Sequence, residues 1–304
     1  MFNCYCMIKR TLYFGNPAYL KTTHEQMVVN MLETGEEKEV PIEDIGLMIL
    51  DHQQITITHG LIAKLLANNV ALITCDSTHH PTGLLLNLDG HTLQSQRFQA
   101  QIEATIPLKK QLWQQTITAK IENQAALLKR ESTEYKLLNT YARTVKSGDS
   151  ENNEAKAAAY YWKRIFPDFL QFSRHREGPP PNNLLNYGYS ILRAIVARSL
   201  VGSGLLPTLG IFHRNQYNAY CLADDLMEPY RPFVDEIVCN IVRMNGKFLE
   251  MTPSMKKDLL GIPVIDVLID GDKSPLMVAV QRTTASLAKC FEGKARKILY
   301  PEMS

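Results

Sequence analysis

The sequence changes character near residue 90, and this change constrains the fold more than any other feature. Before it, short apolar or alternating segments are separated by turn residues, a pattern typical of strands. After it, residues 94–129 contain no glycine and a single proline, Pro107, and are rich in Gln, Ala, Leu, Lys and Glu, which favours long helices. At 304 residues the chain can form one large domain or two ordinary ones. We therefore predict a small β domain over residues 1–88 and a larger α domain over residues 89–304.

The same patterns predict the individual elements. In the N-terminal part we expect an antiparallel sheet assembly that is interrupted by one helix, at residues 59–67. Its strands are predicted at residues 11–14, 26–32, 39–41, 45–50, 54–58 and 70–74. Beyond the boundary, helices are predicted at residues 94–129, 133–146, 153–165, 183–201, 218–227, 233–244, 254–260 and 274–292.

The net charge of +2 combines segments of unlike charge. Residues 1–96 hold 5 Lys and Arg against 10 Asp and Glu, whereas residues 97–176 hold 14 against 8. Such a basic segment can attract a phosphate backbone locally, because screening confines the attraction to about 8–10 Å. A solvated helical face would carry the same charges, so charge alone leaves both interpretations open. The net charge of +2 excludes only a uniformly basic protein.

The cysteines and the apolar runs indicate the cellular compartment. The six cysteines are scattered and form no C-x-x-C pair, which argues against zinc ribbons and thioredoxin-type chemistry. Cys4 and Cys6 form a lone C-x-C near the N-terminus. Because no apolar run approaches the ~18–20 residues of a membrane span, we expect a cytoplasmic protein with reduced thiols and no membrane association.

Glu154 lies near the start of the predicted helix 153–165, in line with an apolar stripe. It shares one helix face with Ala157, Tyr161 and Ile165. Two interpretations are open. Glu154 is either a first-turn residue favoured by the helix dipole, worth ~0.3–1 kcal/mol, or a preorganised metal ligand that needs partners elsewhere in the chain.

Candidate partners for Glu154 lie later in the sequence. His213 follows a glycine-containing apolar segment, where a neutral imidazole can bind a metal or form a core hydrogen bond. Asp225 and Glu228 are three residues apart, and Asp224 and Glu228 are four apart, so on a helix they concentrate negative charge on one face. This cluster predicts a divalent cation or a basic partner. The alternative is a solvated helix end that Arg231 neutralises.

Five segments, in this order, resemble one known family. They are residues 45–52, 154–158 (EAKAA), 182–189 (NNLLNYGY), 210–213 (GIFH) and 225–235 (DLMEPYRPFVD). The strings LNYGY and DLMEPYRP are specific. On these motifs the chain resembles the CRISPR-associated integrase endonuclease, the universal spacer-acquisition nuclease of CRISPR adaptation, in the version that accompanies single-effector (type II) systems.

The resemblance implies a fold and a site. The fold is of the α+β class, with an N-terminal β-sandwich-like domain that forms a homodimer, followed by a larger all-α C-terminal domain that carries the catalytic, metal and DNA sites. The catalytic metal triad carries over to Glu154, His213 and Glu228, and Asp225 is either a supporting residue or an alternative ligand. Two carboxylates and one imidazole suit Mg²⁺ or Mn²⁺, and Mn²⁺ tolerates the nitrogen better.

The resemblance also implies a reaction and partners. A short foreign DNA fragment is inserted as a new spacer when its 3′-hydroxyl attacks a phosphodiester of the CRISPR repeat, and the same site acts as an endonuclease when water is the nucleophile. The expected partners are double-stranded DNA from protospacer and repeat, a second copy of the chain, a small ferredoxin-like adaptation subunit, and other type II adaptation proteins.

DNA is expected on the basic surface of the helical domain, through phosphate contacts that depend steeply on salt. The candidate contacts are Lys109, Lys110, Lys120, Lys163, Arg164, Arg174 and Arg176. Tyr187, Tyr189 and Tyr217 could stack on bases, but we expect them to pack in the core. Two alternative functions remain: a noncatalytic DNA-binding scaffold of the adaptation complex, and an ordinary helical interaction protein.

Overall fold

The computed structural model describes residues 9–167, 169 and 172–303, so Cys4 and Cys6 lie outside the described residues. The N-terminal region contains two four-stranded sheets. Its strands are β1 (Arg10–Phe14), β2 (Ala18–Thr23), β3 (Gln26–Met31), β4 (Glu37–Pro41), β5 (Ile45–Leu50), β6 (Thr56–Ile57), β7 (Ala71–Cys75) and β8 (Pro81–Leu85), and the helix α1 (His59–Ala67) lies between β6 and β7.

The two sheets are mixed, so the expectation of a purely antiparallel assembly is wrong. In the order β1-β5-β7-β8, the first three strands are parallel and β8 is antiparallel to β7. In the order β4-β3-β2-β6, the β2–β6 pair is parallel and the other pairs are antiparallel. The reason is the connection: α1 carries the chain back between β5 and β7, and such a crossover makes strands parallel.

Two strands of the N-terminal region were not predicted. The strand β2 alternates buried and exposed positions but carries polar residues at its end, which weakened its apolar signal. The strand β8 begins with Pro81-Thr82-Gly83, a typical turn sequence. It lies at the edge of its sheet, where a proline needs no ladder partner on its solvent side.

The helix α1 was predicted correctly, and its cap explains its start. The hydroxyl of Thr58 accepts a hydrogen bond from the backbone N–H of Leu61. Leu61 and Leu65 are fully buried, and the helix ends just before Asn69, which has a φ of 54°. Asparagine tolerates this left-handed conformation better than most residues, so it permits the turn into β7.

The C-terminal region is built around helices. They are α2 (Gln94–Glu103), α3 (Ile106–Arg130), α4 (Lys136–Thr144), α5 (Asn153–Trp162), α6 (Asn182–Gly202), α7 (Cys221–Met227), α8 (Arg231–Asn245), α9 (Pro253–Leu260) and α10 (Leu276–Phe291). The predicted stretch 94–129 is divided at Thr105, whose hydroxyl caps the start of α3 by accepting from the N–H of Leu108. The remaining helices agree with the predicted ranges to within a few residues.

The α+β class and the order of the two regions are confirmed, but the C-terminal region is not all-α. It contains a three-stranded antiparallel sheet in the order β10-β9-β11, formed by β9 (Asp266–Ile269), β10 (Asp272–Pro275) and β11 (Pro301–Glu302). Asp270 and Gly271 join the first two strands, with φ values of 52° and 80°. Positive φ at both central residues is the signature of a two-residue hairpin turn, and Asp-Gly is a preferred sequence for it.

The described residues form two hydrophobic cores, and the larger one contains residues of both the N-terminal and the C-terminal region. One core lies between the two N-terminal sheets and contains Leu20 of one sheet and Met48 of the other. This packing of sheet on sheet is sandwich-like. Leu47 and Ile49 point to the opposite face and join the larger helical core. The parallel strands are thus covered on both faces, as such strands require. None of the described helices is both long and apolar enough to cross a membrane, and Cys75, Cys221, Cys239 and Cys290 are free thiols.

Candidate active site

Glu154 lies in the first turn of α5, where Asp149 holds the backbone. The carboxylate of Asp149 accepts the N–H of Asn153 at 2.8 Å and the N–H of Glu154 at 3.0 Å. Ala157 and Tyr161, on the same face of the helix, are fully buried. The side chain of Glu154 is 23% exposed, so its carboxylate lies where the core meets the solvent.

Glu228 follows α7 directly, at a short 3₁₀ turn that leads into α8. Its side chain is only 8% exposed, and each of its oxygens has a cationic partner. The Nε of Arg231 donates to Oε1 at 2.8 Å, and the ammonium of Lys120 donates to Oε2 at 2.6 Å. Although burial would raise the pKa of Glu228, the charges of Arg231 and Lys120 lower it to about 2. Glu228 is therefore ionised at neutral pH.

Lys120, on α3, joins the two glutamates. Its ammonium also donates to Oε1 of Glu154 at 2.7 Å, so one cation serves both carboxylates. Burial opposes the charged form, but Glu228 and Glu154 raise the pKa of Lys120 above its usual value. The side chain is 10% exposed, and this burial removes Lys120 from the set of surface residues that were expected to contact DNA phosphates.

Asp225 orients His213. Its Oδ1 lies 2.5 Å from Nδ1 of the imidazole, and its Oδ2 accepts the backbone N–H groups of Ile211 and Phe212 at 2.6 and 2.9 Å. A neutral imidazole held in this way carries its proton on Nδ1 and leaves the lone pair of Nε2 available. Hydrogen bonding to Asp225 also raises the pKa of His213. Asp225 is fully buried, and both of its carboxylate oxygens are engaged by this turn.

Gly210 lies before this turn, where the backbone of His213 and the carboxylate of Asp225 leave no room for a side chain. A Cβ atom at Gly210 would lie 2.3 Å from the carbonyl oxygen of His213 and 2.9 Å from Oδ2 of Asp225. A larger residue would push the carboxylate away from the backbone N–H groups that hold it. The GIFH motif is thus a loop wrapped around one carboxylate.

An aromatic wall supports His213 from α3. Trp113 is almost fully buried and stacks on Phe212, with ring centroids 4.4 Å apart and an interplanar angle of 2°. The imidazole of His213 meets the same indole edge-on, at 5.6 Å. Trp113 and Lys120 lie seven residues apart on one helix, so α3 supplies both the wall beside His213 and the cation between the glutamates.

The three predicted site residues occupy one neighbourhood, but not as a coordination cluster. Glu154 and Glu228 share Lys120, and the charges of both contribute to the raised pKa of His213. Within residues 9–167, 169 and 172–303, no group of three or more His, Cys, Asp and Glu side chains is gathered closely enough to hold a metal ion.

Sequence reasoning missed the role of Lys120, although a signal existed. Ile117, Ile121 and Gln124 are buried on the same helix, and a lysine on such a face must pair with an acid. It also missed Asp235, which is buried and accepts hydrogen bonds from Tyr161 at 2.7 Å and Tyr189 at 2.5 Å. Asp235 is the last residue of the segment 225–235, but nothing in that segment distinguished its role.

An arginine-lined cleft of about 700 Å³ adjoins the site. Its arginines are Arg174, Arg176, Arg193 and Arg231, and the N-terminal region contributes His80, just before β8, and Thr82, within β8. Because Arg231 also binds Glu228, the cleft and the carboxylates meet at one side chain. The arginine-lined cleft therefore contacts the acidic site through Arg231.

Several of these cations are held in place. Arg193 binds Asp224 through two hydrogen bonds, at 2.7 and 3.1 Å. Arg174 donates to the side-chain oxygens of Asn182 and Asn186. Ordered guanidinium groups lose little side-chain entropy when they bind an anion such as a phosphate.

The tyrosines follow the expectation in part. Tyr187 and Tyr189 are buried, and the ring of Tyr189 lies beneath the guanidinium of Arg231 at 4.4 Å. Tyr217 is 87% exposed, so the expectation that it packs in the core is wrong. It lies in the loop just after His213, and nothing in that loop covers its ring.

Known proteins resemble this chain along almost its whole length. The family profile described as "CRISPR associated protein Cas1" matches residues 12–247. The CRISPR-associated endonuclease Cas1 of Neisseria meningitidis serogroup C (strain 8013) is 34% identical over 300 residues, which are 98% of this chain and 97% of that protein.

Two solved structures share the fold. A casposase bound to its integration product superposes with a TM-score of 0.80 at 20% identity, over 95% of this chain and 92% of that one. A chain of a Cas6-RT-Cas1–Cas2 complex superposes with a TM-score of 0.76 at 18% identity, over 95% of this chain and 36% of that one. At these identities the likeness shows the fold alone.

Proposed function

Because this chain belongs to the CRISPR-associated Cas1 family, we propose that it is a metal-dependent DNA integrase and endonuclease that inserts short foreign DNA fragments into a CRISPR array. An endonuclease or integrase role follows from the family. The metal, the strand-transfer reaction and the residues that perform it are the proposal. The observation that carries it is the pair of carboxylates, Glu154 and Glu228, that share one cation beside an oriented imidazole.

The side chains of Glu154, His213 and Glu228 are not gathered into a coordination cluster in this structure, but their donor types suit a divalent ion. The ammonium of Lys120 is a stand-in cation, and its hydrogen bonds to Glu154 and Glu228 indicate that this gap accepts positive charge. Two carboxylates and the Nε2 of His213 form a donor set that suits Mn²⁺ or Mg²⁺. We propose that these three residues are the ligands.

In this proposal a bound ion would supply Lewis-acid polarisation of the phosphodiester and stabilise the charge that develops there. The chain itself does the rest. Asp225 keeps the proton of His213 on Nδ1, and Trp113 and Phe212 restrict the movement of the imidazole. Arg231 neutralises Glu228 from the side that faces the cleft. The nucleophile is the 3′-hydroxyl of the captured fragment, so no covalent enzyme intermediate forms.

DNA would reach the site through the arginine-lined cleft. The guanidinium groups of Arg176 and Arg193 suit bidentate contacts with phosphate oxygens, which carry no sequence information. Lys109, Lys110, Lys163 and Arg164 remain candidates for further contacts. Binding is therefore expected to weaken steeply with salt, by roughly one power of the salt concentration for each phosphate contact.

The assembly is also part of the proposal. We propose that residues 1–88 form a homodimer, that a small ferredoxin-like subunit completes the adaptation complex, and that other type II adaptation proteins join it in the cytoplasm. One structural neighbour is a chain of a Cas6-RT-Cas1–Cas2 complex, which supports an adaptation partner. Leu32, just after β3, and Leu85, at the end of the edge strand β8, are 59% and 43% exposed and offer apolar surface for such contacts.

A strand-transfer assay tests the function. A short duplex with free 3′-hydroxyl ends is incubated with a repeat-containing plasmid, Mn²⁺ or Mg²⁺ and the small partner subunit. We expect product with the wild-type chain and with His59→Ala, which alters an exposed histidine, and none with His213→Ala. Activity in His213→Ala would contradict the site. DNA binding that is insensitive to chelator, without strand transfer, would instead support a noncatalytic scaffold.

A further inference from the structure

The gap between Glu154 and Glu228 is closed by a residue of the chain itself. Oε1 of Glu228 binds Arg231 and Oε2 binds Lys120, so both oxygens are engaged before any ion arrives. Lys120 also binds Glu154. Two side-chain cations therefore balance two carboxylates.

This pairing of charges makes the binding of a divalent ion less favourable. A divalent cation between the same carboxylates would leave the site with an excess of positive charge next to a buried ammonium. Like charges in so dry an environment repel strongly. The ammonium must therefore move away from at least one carboxylate when the ion binds.

We infer that Lys120 is an internal counter-cation that holds the two ligands together without metal and is displaced by the divalent ion. The inference rests on the proposed metal site. A lysine suits this task because its compact charge sits on a flexible four-carbon stem, whereas the guanidinium of Arg231 is a rigid fork. The side chain of Lys120 is 10% exposed, so it is not completely closed off from the solvent.

A purely structural role for Lys120 makes the opposite prediction. If the lysine only maintains the geometry of the ligands, its removal disorders them and weakens metal binding. If it competes with the ion, its removal strengthens metal binding, because the ion no longer has to displace a charge. The direction of the change in affinity separates the two roles.

Calorimetric titration of the full chain with Mn²⁺ alone provides the test. We expect Lys120→Met to bind Mn²⁺ about tenfold more tightly than the wild type, which corresponds to one displaced ionic contact. Lys129→Met, on an exposed position of the same helix, should bind like the wild type. Lys120→Gln, which keeps a donor but no charge, should shift the affinity in the same direction as Lys120→Met and serves if the methionine variant does not fold.

Thermal unfolding is the second measurement. Without Mn²⁺, Lys120→Met should unfold at a lower temperature than the wild type, and Mn²⁺ should raise its unfolding temperature by more than it raises that of the wild type. Equal or weaker Mn²⁺ affinity in both Lys120 variants would overturn the inference while leaving the metal site intact. Absence of Mn²⁺ binding in the folded wild type would overturn the metal site and the inference with it.

Discussion

The carboxylate of Asp225 lies 2.5 Å from Nδ1 of His213, and this contact decides which nitrogen of the imidazole is available. The same carboxylate accepts two backbone N–H groups of the loop that carries His213. One buried acid thus sets both the position of the loop and the tautomer of the ring.

Replacing Asp225 with Asn should weaken Mn²⁺ binding by about 10- to 100-fold, the usual effect of removing such a supporting contact. The amide places a donor where two backbone N–H groups and Nδ1 need an acceptor. Calorimetric titration measures the change. Asp224→Asn is the matched control on α7, since it alters the contact with Arg193 and leaves His213 untouched. Equal affinities in the two variants would show that Asp225 does not orient the imidazole.

The Gly210→Ala variant should be destabilised by about 1–3 kcal/mol, the range for forced overpacking. The new Cβ would lie 2.3 Å from the carbonyl oxygen of His213. Gly60→Ala is the control, because a Cβ there meets only a Thr22 methyl group at 3.7 Å and lies in a helix, where Ala is favoured by up to about 1 kcal/mol. Urea unfolding compares the two. If Gly210→Ala is as stable as Gly60→Ala, the close approach of residue 210 to the carbonyl oxygen of His213 does not constrain the loop.

A buried network around Asp51 should stabilise the junction of the two regions. Its carboxylate accepts hydrogen bonds from Tyr13 at 2.6 Å and from Lys256 of α9 at 2.8 Å. Asp51→Asn and Lys256→Met should each cost about 3–5 kcal/mol, because each leaves a buried charge without its partner. The double variant should cost clearly less than the two together.

The measurement is a double-mutant cycle by chemical unfolding. The exposed pair Glu36 and Lys38, 3.0 Å apart, serves as the control and should contribute about 1 kcal/mol or less. Strict additivity of Asp51→Asn and Lys256→Met would mean that the two regions are not joined through this pair.

The stability of the chain should depend on the ionisation of Asp235. Burial raises the pKa of this carboxyl to about 6 in the folded state, against 3.8 when it is free. The folded state therefore binds the proton more tightly than the unfolded state. The stabilisation by the neutral form is fully present below about pH 4 and is lost as the pH rises through 6, by up to about 3 kcal/mol at 1.36 kcal/mol per unit.

Asp235→Asn cannot ionise, and its side-chain oxygen still accepts one tyrosine hydroxyl. The difference in unfolding free energy between the wild type and this variant should thus decrease between pH 4 and pH 6 and stay constant above. A constant difference for Asp235→Asn would refute the raised pKa.

Local sequence signals predicted most of the elements. Both ends of α1 were predicted correctly. A threonine caps its start, an apolar stripe is buried along it, and an asparagine caps its end. The strand pairing was not predictable in this way. A strand's own residues show that it is buried, but only the path of its connection decides whether its neighbour runs parallel or antiparallel.

The sequence by itself determined the α+β class, the family and the positions of Glu154, His213, Asp225 and Glu228, because these depend on short-range periodicity and on local motifs. The tertiary structure alone decided what surrounds those residues. It placed Lys120 between the two glutamates, turned Asp225 towards His213, and brought Asp235 under two tyrosines. Each of these contacts joins residues far apart in the chain. The packing of the helices determines which side chains come into contact, and a buried charge is stable only beside a counter-charge. Neither condition can be predicted from the spacing of residues in the sequence.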